Sequence, residues 1–132
     1  MSKIFSWCIL WLAVIAISGC SRSVKSEEMH GVWKYVQVEN PNQGTITPAE
    51  EIEANEPSIR FSPGNKLEMT WGGKVLSEGT YRIVYPVIEY RENLKEKGSR
   101  EIKFLIKKFE DNVLVFQTME ADAVRVTARK VN

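Results

Sequence analysis

Few side chains of this 132-residue chain could carry chemistry: two cysteines, one histidine and several carboxylate pairs. His30 stands alone, and a zinc site built mostly from carboxylates would be unusual. No G-x-S-x-G, H-E-x-x-H or phosphate-loop motif occurs. We therefore expect no catalytic residue, metal or cofactor, and no enzyme activity. The carboxylate pairs fall in a polar segment, a helix face and a turn, where charge is normally solvated: Glu27-Glu28, Glu50-Glu51 and Glu110-Asp111.

Cys20 stands where a long apolar run gives way to polar chain. Positive charge at Met1 and Lys3 precedes 14 residues, Ile4–Ile17, that are apolar apart from Ser6. A secretory signal peptide has this layout, whereas a helix that spans a membrane needs ~20 apolar residues. We predict a signal peptide over residues 1–19. An uncleaved N-terminal anchor helix is the alternative.

The residues just before the cysteine are more specific than a general cleavage site. Ile17-Ser18-Gly19-Cys20 resembles the bacterial lipobox, which has an aliphatic residue, two small residues and then cysteine. The resemblance implies a lipoprotein that is cleaved after Gly19. It also implies a diacylglyceryl group on the Cys20 sulfur and an acyl group such as palmitate on the new amino terminus. Ser21, in place of aspartate, favours the outer membrane by the enterobacterial sorting pattern, so we expect a lipid-anchored envelope protein facing the periplasm or the surface.

Composition bounds what the mature chain can be. Without residues 1–19 it has 113 residues, enough for one domain. Lys3 leaves with the signal, and 17 basic side chains then balance 17 acidic ones. This balance gives no support for nucleic-acid binding. Cys8 also leaves, so the domain has no disulfide and must be stabilised by its core. We predict a lipidated tether over residues 20–29 and a barrel domain over residues 30–132.

After residue 30 the chain is a series of short runs in which apolar and polar residues alternate, separated by turn residues. The hairpin signal Pro63-Gly64-Asn65 is one such separator. Gly79 is a candidate bulge. Pro86 predicts that Val87–Tyr90 is a separate or edge piece. One helix is predicted, about Pro48–Asn55, with Thr47 as its N-cap and Glu50 completing a capping box.

These elements amount to seven or eight antiparallel strands with short connections and one short helix. Many short strands at even spacing indicate a sandwich or a barrel. Sequential hairpins favour an up-and-down path, and closure removes exposed strand edges. The fold prediction is an all-β, up-and-down antiparallel barrel of seven or eight strands with one short helix.

Three stretches carry a family resemblance. Gly31-Val32-Trp33 matches the G-x-W start of a lipocalin first strand. With GTYRIV and VRVTARK it makes the chain look like a small bacterial lipocalin-like lipoprotein, which implies a barrel of the lipocalin or calycin type. The resemblance implies that Trp33 packs at the closed end of the barrel, under a basic residue of the last strand. Arg129 is the candidate, with Arg125 as the alternative, although simple alternation places both outward. The chain departs from the family in having no cysteine pair and no long helix after the last strand.

Alternation also predicts which side chains face inward. An eight-stranded barrel is just wide enough to be filled by side chains or to hold one small ligand. The aromatic residues of this set could therefore line an apolar pocket or fill the core, and their bulk favours filling. The candidate pocket or core residues are Trp33, Tyr35, Phe61, Met69, Trp71, Tyr81 and Phe104.

Two functions follow from these two states of the interior. An open barrel would bind a small apolar ligand in the envelope. A filled barrel would act as an interaction or inhibitor module, with an envelope protein as its partner and no small-molecule ligand.

Overall fold

A computed structural model describes residues 23–131. The predicted signal peptide, the lipobox-like residues and Cys20 lie outside the described residues. Within them the chain forms nine strands and two short helices. In chain order these are α1 (Ser26–Met29), β1 (Gly31–Asn40), β2 (Thr45–Ile46), α2 (Ala49–Asn55), β3 (Ser58–Ser62), β4 (Lys66–Trp71), β5 (Lys74–Val84), β6 (Val87–Asn93), β7 (Ser99–Glu110), β8 (Val113–Thr118) and β9 (Arg125–Val131).

Eight of the strands close into an antiparallel barrel. From β3 to β9 each strand pairs with the next along the chain, and β1 pairs with both β3 and β9. β2 is a two-residue addition to the far end of β1. The predicted all-β, up-and-down barrel is thus confirmed, with eight strands and one extra. Because the first and last strands pair over most of their length, the barrel proper has no free edge.

The antiparallel register gives the barrel two distinct ends. The α1 end holds the start of β1, the end of β9 and the turns at residues 63–65, 85–86 and 111–112. The α2 end holds the β1–β3 connection and the loops at 72–73, 94–98 and 119–124. At this second end, the backbone amide of Gly72 donates to the carbonyl of Asn55, which joins α2 to the β4–β5 turn.

Gly79 is not a bulge, contrary to the prediction. It pairs regularly with Leu67 and Glu92. The irregularity in the β4–β5 ladder lies between Met69 and Thr70, opposite the start of β5. A Cβ added at Gly79 would lie 1.9 Å from the carbonyl oxygen of Arg91. Gly79 is therefore required for the close approach of two backbones.

Pro86 does not isolate the strand that follows it. β6 pairs with β5 over residues 87–92 and with β7 over residues 87–93. The prediction of a separate or edge piece was wrong, because Pro86 lies in the turn before the strand, where its missing N–H removes no ladder bond.

The helices differ from the prediction in number and capping. α2 lies where the single helix was expected, but Pro48 is its N-cap and no side chain caps it. The four-residue α1 was not predicted. Val24, which precedes it, and Met29, its last residue, are buried in the barrel core. These two residues of the segment predicted as a lipidated tether therefore pack with the barrel.

Candidate functional site

A chain of aromatic rings crosses the barrel interior. Tyr90 stacks on Phe104 with ring centroids 6.1 Å apart. Phe104 meets Phe116 edge-on at 5.3 Å, and Phe116 meets Tyr35 edge-on at 6.1 Å. These distances lie within the range of favourable aromatic pairs. Burial in this cluster raises the pKa of Tyr35 above its ordinary value. The rings thus pack through the interior from β6 to β1, and a ligand inside the barrel would contact them.

The predicted inward residues divide into three groups. Trp33, Phe61, Tyr81 and Phe104 are buried in the core. Tyr35 and Met69 are partly buried and pack against it. Trp71 is partly exposed and is not among the core residues of the described chain. It ends β4 one residue beyond the last β3–β4 pair, so no β3 residue lies opposite it.

Sequence reasoning missed much of the core. The inward residues of β8 alternate visibly but are not among the candidates, and Pro86 hides those of β6 by suggesting an edge piece. Val24 and Met29 carry no alternation signal, since they precede the first strand. The buried apolar residues missed in these three segments are Val24, Met29, Ile88, Tyr90, Leu114 and Phe116.

The cation over Trp33 at the α1 end is Lys130. Its Nζ lies 5.7 Å from the centroid of the indole ring. The indole Nε1–H donates to the carbonyl of Met29 at 2.9 Å, and the ring meets Phe109 at 5.8 Å. α1, β1, β7 and β9 are therefore joined around one tryptophan. This arrangement closes the α1 end.

The structure does not place either predicted arginine over Trp33. Arg129 is exposed and lies opposite Lys34 in the β1–β9 ladder, whereas Lys130 lies opposite Trp33. Arg125 bonds Glu39 and Gln117. Alternation from the buried Val126 and Ala128 leads directly to Lys130, so the sequence contained the signal for the correct cation.

We expect Lys130→Ala to destabilise the barrel by ~0.5–2 kcal/mol, the usual range of a cation–π contact, and to shift Trp33 emission. Urea denaturation and fluorescence in a Trp71→Phe background would measure both effects. Arg129→Ala is the matched control and should change neither the stability nor the emission of Trp33. An equal or larger effect of Arg129→Ala would contradict the assignment.

A polar cluster lies toward the α2 end of the interior. The carboxylate of Glu92, a residue only 8% exposed, accepts hydrogen bonds from Ser77 Oγ and from Arg100 NH2, the second at 2.6 Å. The hydroxyls of Ser77 and Tyr90 are 2.6 Å apart. Burial raises the pKa of Tyr90, and the bond to Ser77 opposes that rise. The buried carboxylate is thus paired and hydrogen-bonded, as its desolvation requires.

Tyr81 Oη is a buried side-chain polar atom without a hydrogen-bond partner in the described part of the chain. Its ring meets Phe61 edge-on at 5.0 Å. Burial, and then the nearby charge of Glu27, raises the pKa of Tyr81. An unpaired buried hydroxyl is costly. This atom is therefore a place where a polar group could bond inside the barrel.

Two concavities of more than 400 Å³ occur among residues 23–131. One, of about 420 Å³, covers the outer face of β3–β6 and is lined by charges of both signs, including Arg60, Glu68 and Arg91. The other, of about 440 Å³, lies between α2 and β1 and reaches Tyr35. No cluster of three His, Cys, Asp or Glu side chains that could hold a metal occurs in this range.

The described residues form a closed eight-stranded antiparallel barrel with a core of aromatic and aliphatic side chains inside it. No family model matches the chain. No curated protein matches it. Among solved structures, it is similar to the fatty-acid-binding protein isolated from Manduca sexta, with a TM-score of 0.39 and 13% identity over 76% of this chain and 98% of the other. The fold assignment rests on the strand order and register of the barrel itself.

Proposed function

We propose that this chain is a lipid-anchored protein of the bacterial cell envelope whose barrel works through its outer surface. It would act as an interaction or inhibitor module with an envelope protein as partner. The observation that carries the proposal is the unbroken contact of Tyr90, Phe104, Phe116 and Tyr35 across the interior. A filled barrel leaves its ends and outer face as the surfaces available for binding.

The anchor in this proposal is the lipid on Cys20. It is supported by the lipobox resemblance at Ile17–Cys20 and by the short apolar run before it. Each buried methylene contributes ~0.8 kcal/mol, so two or three acyl chains hold a protein stably where one does not. Among the described residues no helix is long and apolar enough to cross a membrane. By the Ser21 pattern the proposed location is the outer membrane.

Cys20→Ala should move the protein out of the membrane fraction, because the lipid attachment atom is lost. Membrane fractionation of cells that export the variant would show this, with Ser21→Ala as a control that stays membrane-bound. Membrane retention of exported Cys20→Ala with its signal removed would contradict the lipid anchor.

A small apolar ligand is the second candidate. Two observations favour it: the polar cluster around Glu92 near the α2 end, and the unpaired hydroxyl of Tyr81 inside the barrel. Ligand pockets typically combine an apolar wall with a few placed polar groups. Binding would require the aromatic rings at the centre to move apart.

Titration of the soluble domain with a fluorescent fatty acid separates the two candidates. The filled barrel predicts no saturable binding at micromolar probe, because no space is free for an acyl chain. Saturable one-to-one binding that unlabelled fatty acid displaces would favour the ligand-binding function instead.

A further inference from the structure

The chain enters the barrel at the α1 end and is fixed there. Val24 and Met29 are buried in the core. The Met29 carbonyl accepts the hydrogen bond of the Trp33 indole at 2.9 Å. The groove beside this contact is lined by Glu28 together with residues of the β7–β8 turn and the end of β9. Val24 is therefore a fixed point at one end of the barrel.

The lipid would be attached very near this fixed point. Four residue steps separate Cys20 from Val24. Fully extended chain spans at most ~3.3–3.6 Å per residue, so the connection is at most ~14 Å long. The barrel is longer than this. The 11 residues of β5, at ~3.3 Å each and tilted by ~40°, give a height of about 28 Å.

The same end exposes apolar side chains on strand ends and a turn. Val84 is 52% exposed, Tyr85 36% and Val131 38%. Val84 lies opposite Val87, which lies opposite Leu105, so the apolar surface continues onto the outer face. Tyrosine with adjoining aliphatic residues is suited to the boundary between lipid and water.

Charge at the α1 end does not determine what it contacts. The exposed side chains there include Lys25 and Lys66, but also Glu27, Glu110 and Asp111. Acidic groups next to an anionic surface are unfavourable, so electrostatic attraction to lipid headgroups does not orient this end. The short connection to Cys20 and the exposed apolar edge orient it instead.

We infer that the α1 end rests on the lipid surface, with Val84 and Tyr85 at the boundary and the barrel standing roughly upright. This inference rests on the proposed lipidation of Cys20. It leaves the α2 end about 28 Å from the membrane. That end then presents its exposed apolar side chains to the solution: Ile46, Val75, Leu76 and Met119.

Two single-cysteine variants of the lipidated full chain test the orientation. Tyr85→Cys reports the α1 end, and Leu76→Cys, at a position 66% exposed, reports the α2 end. Because Cys8 leaves with the signal and lipid occupies Cys20, each introduced thiol can be labelled selectively. In vesicles of phosphatidylethanolamine and phosphatidylglycerol carrying headgroup spin labels, the fluorophore at position 85 should lose most of its emission. The fluorophore at position 76 should keep nearly all of it.

Two controls separate a failure of the orientation from a failure of the lipid anchor. A 12-residue Gly/Ser insertion between Ser21 and Arg22 should weaken the quenching at position 85, because a longer connection lowers the local concentration of lipid. Mass spectrometry of the amino-terminal peptide reports the lipid itself. Lipidated protein with equal quenching at both positions, or with none at position 85, overturns the upright orientation and leaves the anchor intact. Absence of lipid on Cys20 overturns both.

Discussion

Gly79→Ala should destabilise the barrel by about 3 kcal/mol or more, the upper part of the range for overpacking. The added Cβ would lie 1.9 Å from the carbonyl oxygen of Arg91 and 2.9 Å from its carbonyl carbon. Both are backbone atoms of a paired strand, so relief requires β5 and β6 to separate. Urea denaturation followed by circular dichroism at equal protein concentration would measure the loss.

Gly64→Ala is the matched control for this variant. Gly64 has a φ of +83°, and nothing lies within 4 Å of an added Cβ. Its substitution incurs the left-handed backbone cost, roughly 1–2 kcal/mol, without a clash. Equal losses for the two variants would show that the close approach at Gly79 is not a constraint on the barrel.

Phe116→Ala should destabilise the barrel by about 3–5 kcal/mol, the usual cost of truncating a buried phenylalanine. Phe116 is buried and contacts the rings of Phe104 and Tyr35 at 5.3 and 6.1 Å. Its removal leaves a cavity in the centre of the aromatic chain. Denaturation midpoints of the soluble domain would measure the effect.

Tyr85→Ala serves as the comparison for Phe116→Ala, because Tyr85 is an exposed aromatic residue in a turn. Surface substitutions usually change stability by no more than ~0.5 kcal/mol. A loss below about 1 kcal/mol for Phe116→Ala would mean that the interior is loosely packed.

The barrel could be predicted because alternation and turn residues are local signals. In runs such as SIRFS and KLEMTW apolar and polar residues alternate with the period of a strand, and Pro63-Gly64-Asn65 between them predicts a turn. Once the strands are sequential and antiparallel, few arrangements remain that protect both edges. Strand order and closure then follow with little further information.

The features that were predicted wrongly or not at all depend on tertiary contacts. The irregularities in the ladder lie near Val36, Thr70 and Lys107, none of which is a glycine. They shift the inward pattern locally, so Val38 packs on the core although strict alternation from Trp33 would turn it outward. Burial of Val24 and Met29 depends on the barrel end that receives them. The segment SRSVKSEEM has no periodicity from which the burial of these two residues could be predicted.

The cation over Trp33 shows a different limit of prediction from sequence. A family resemblance suggested an arginine, whereas the alternating face of β9 that carries Val126 and Ala128 also carries Lys130. The alternation of the strand is therefore the better guide to this cation. Alternation named only part of the inward set, and whether inward residues meet across the barrel depends on side-chain packing that no sequence period encodes.

Benzene, a small apolar probe, shows whether the barrel is filled. It occupies an apolar cavity of suitable size, and an engineered cavity of ~150 Å³ binds it. Methyl NMR spectra of the soluble domain would be recorded during a benzene titration of the native protein and of Phe116→Ala. A filled barrel should give saturable shifts of the interior methyls of Ile88 and Leu114 in Phe116→Ala and none in the native protein. Saturable shifts of the same methyls in the native protein would show that its interior is open.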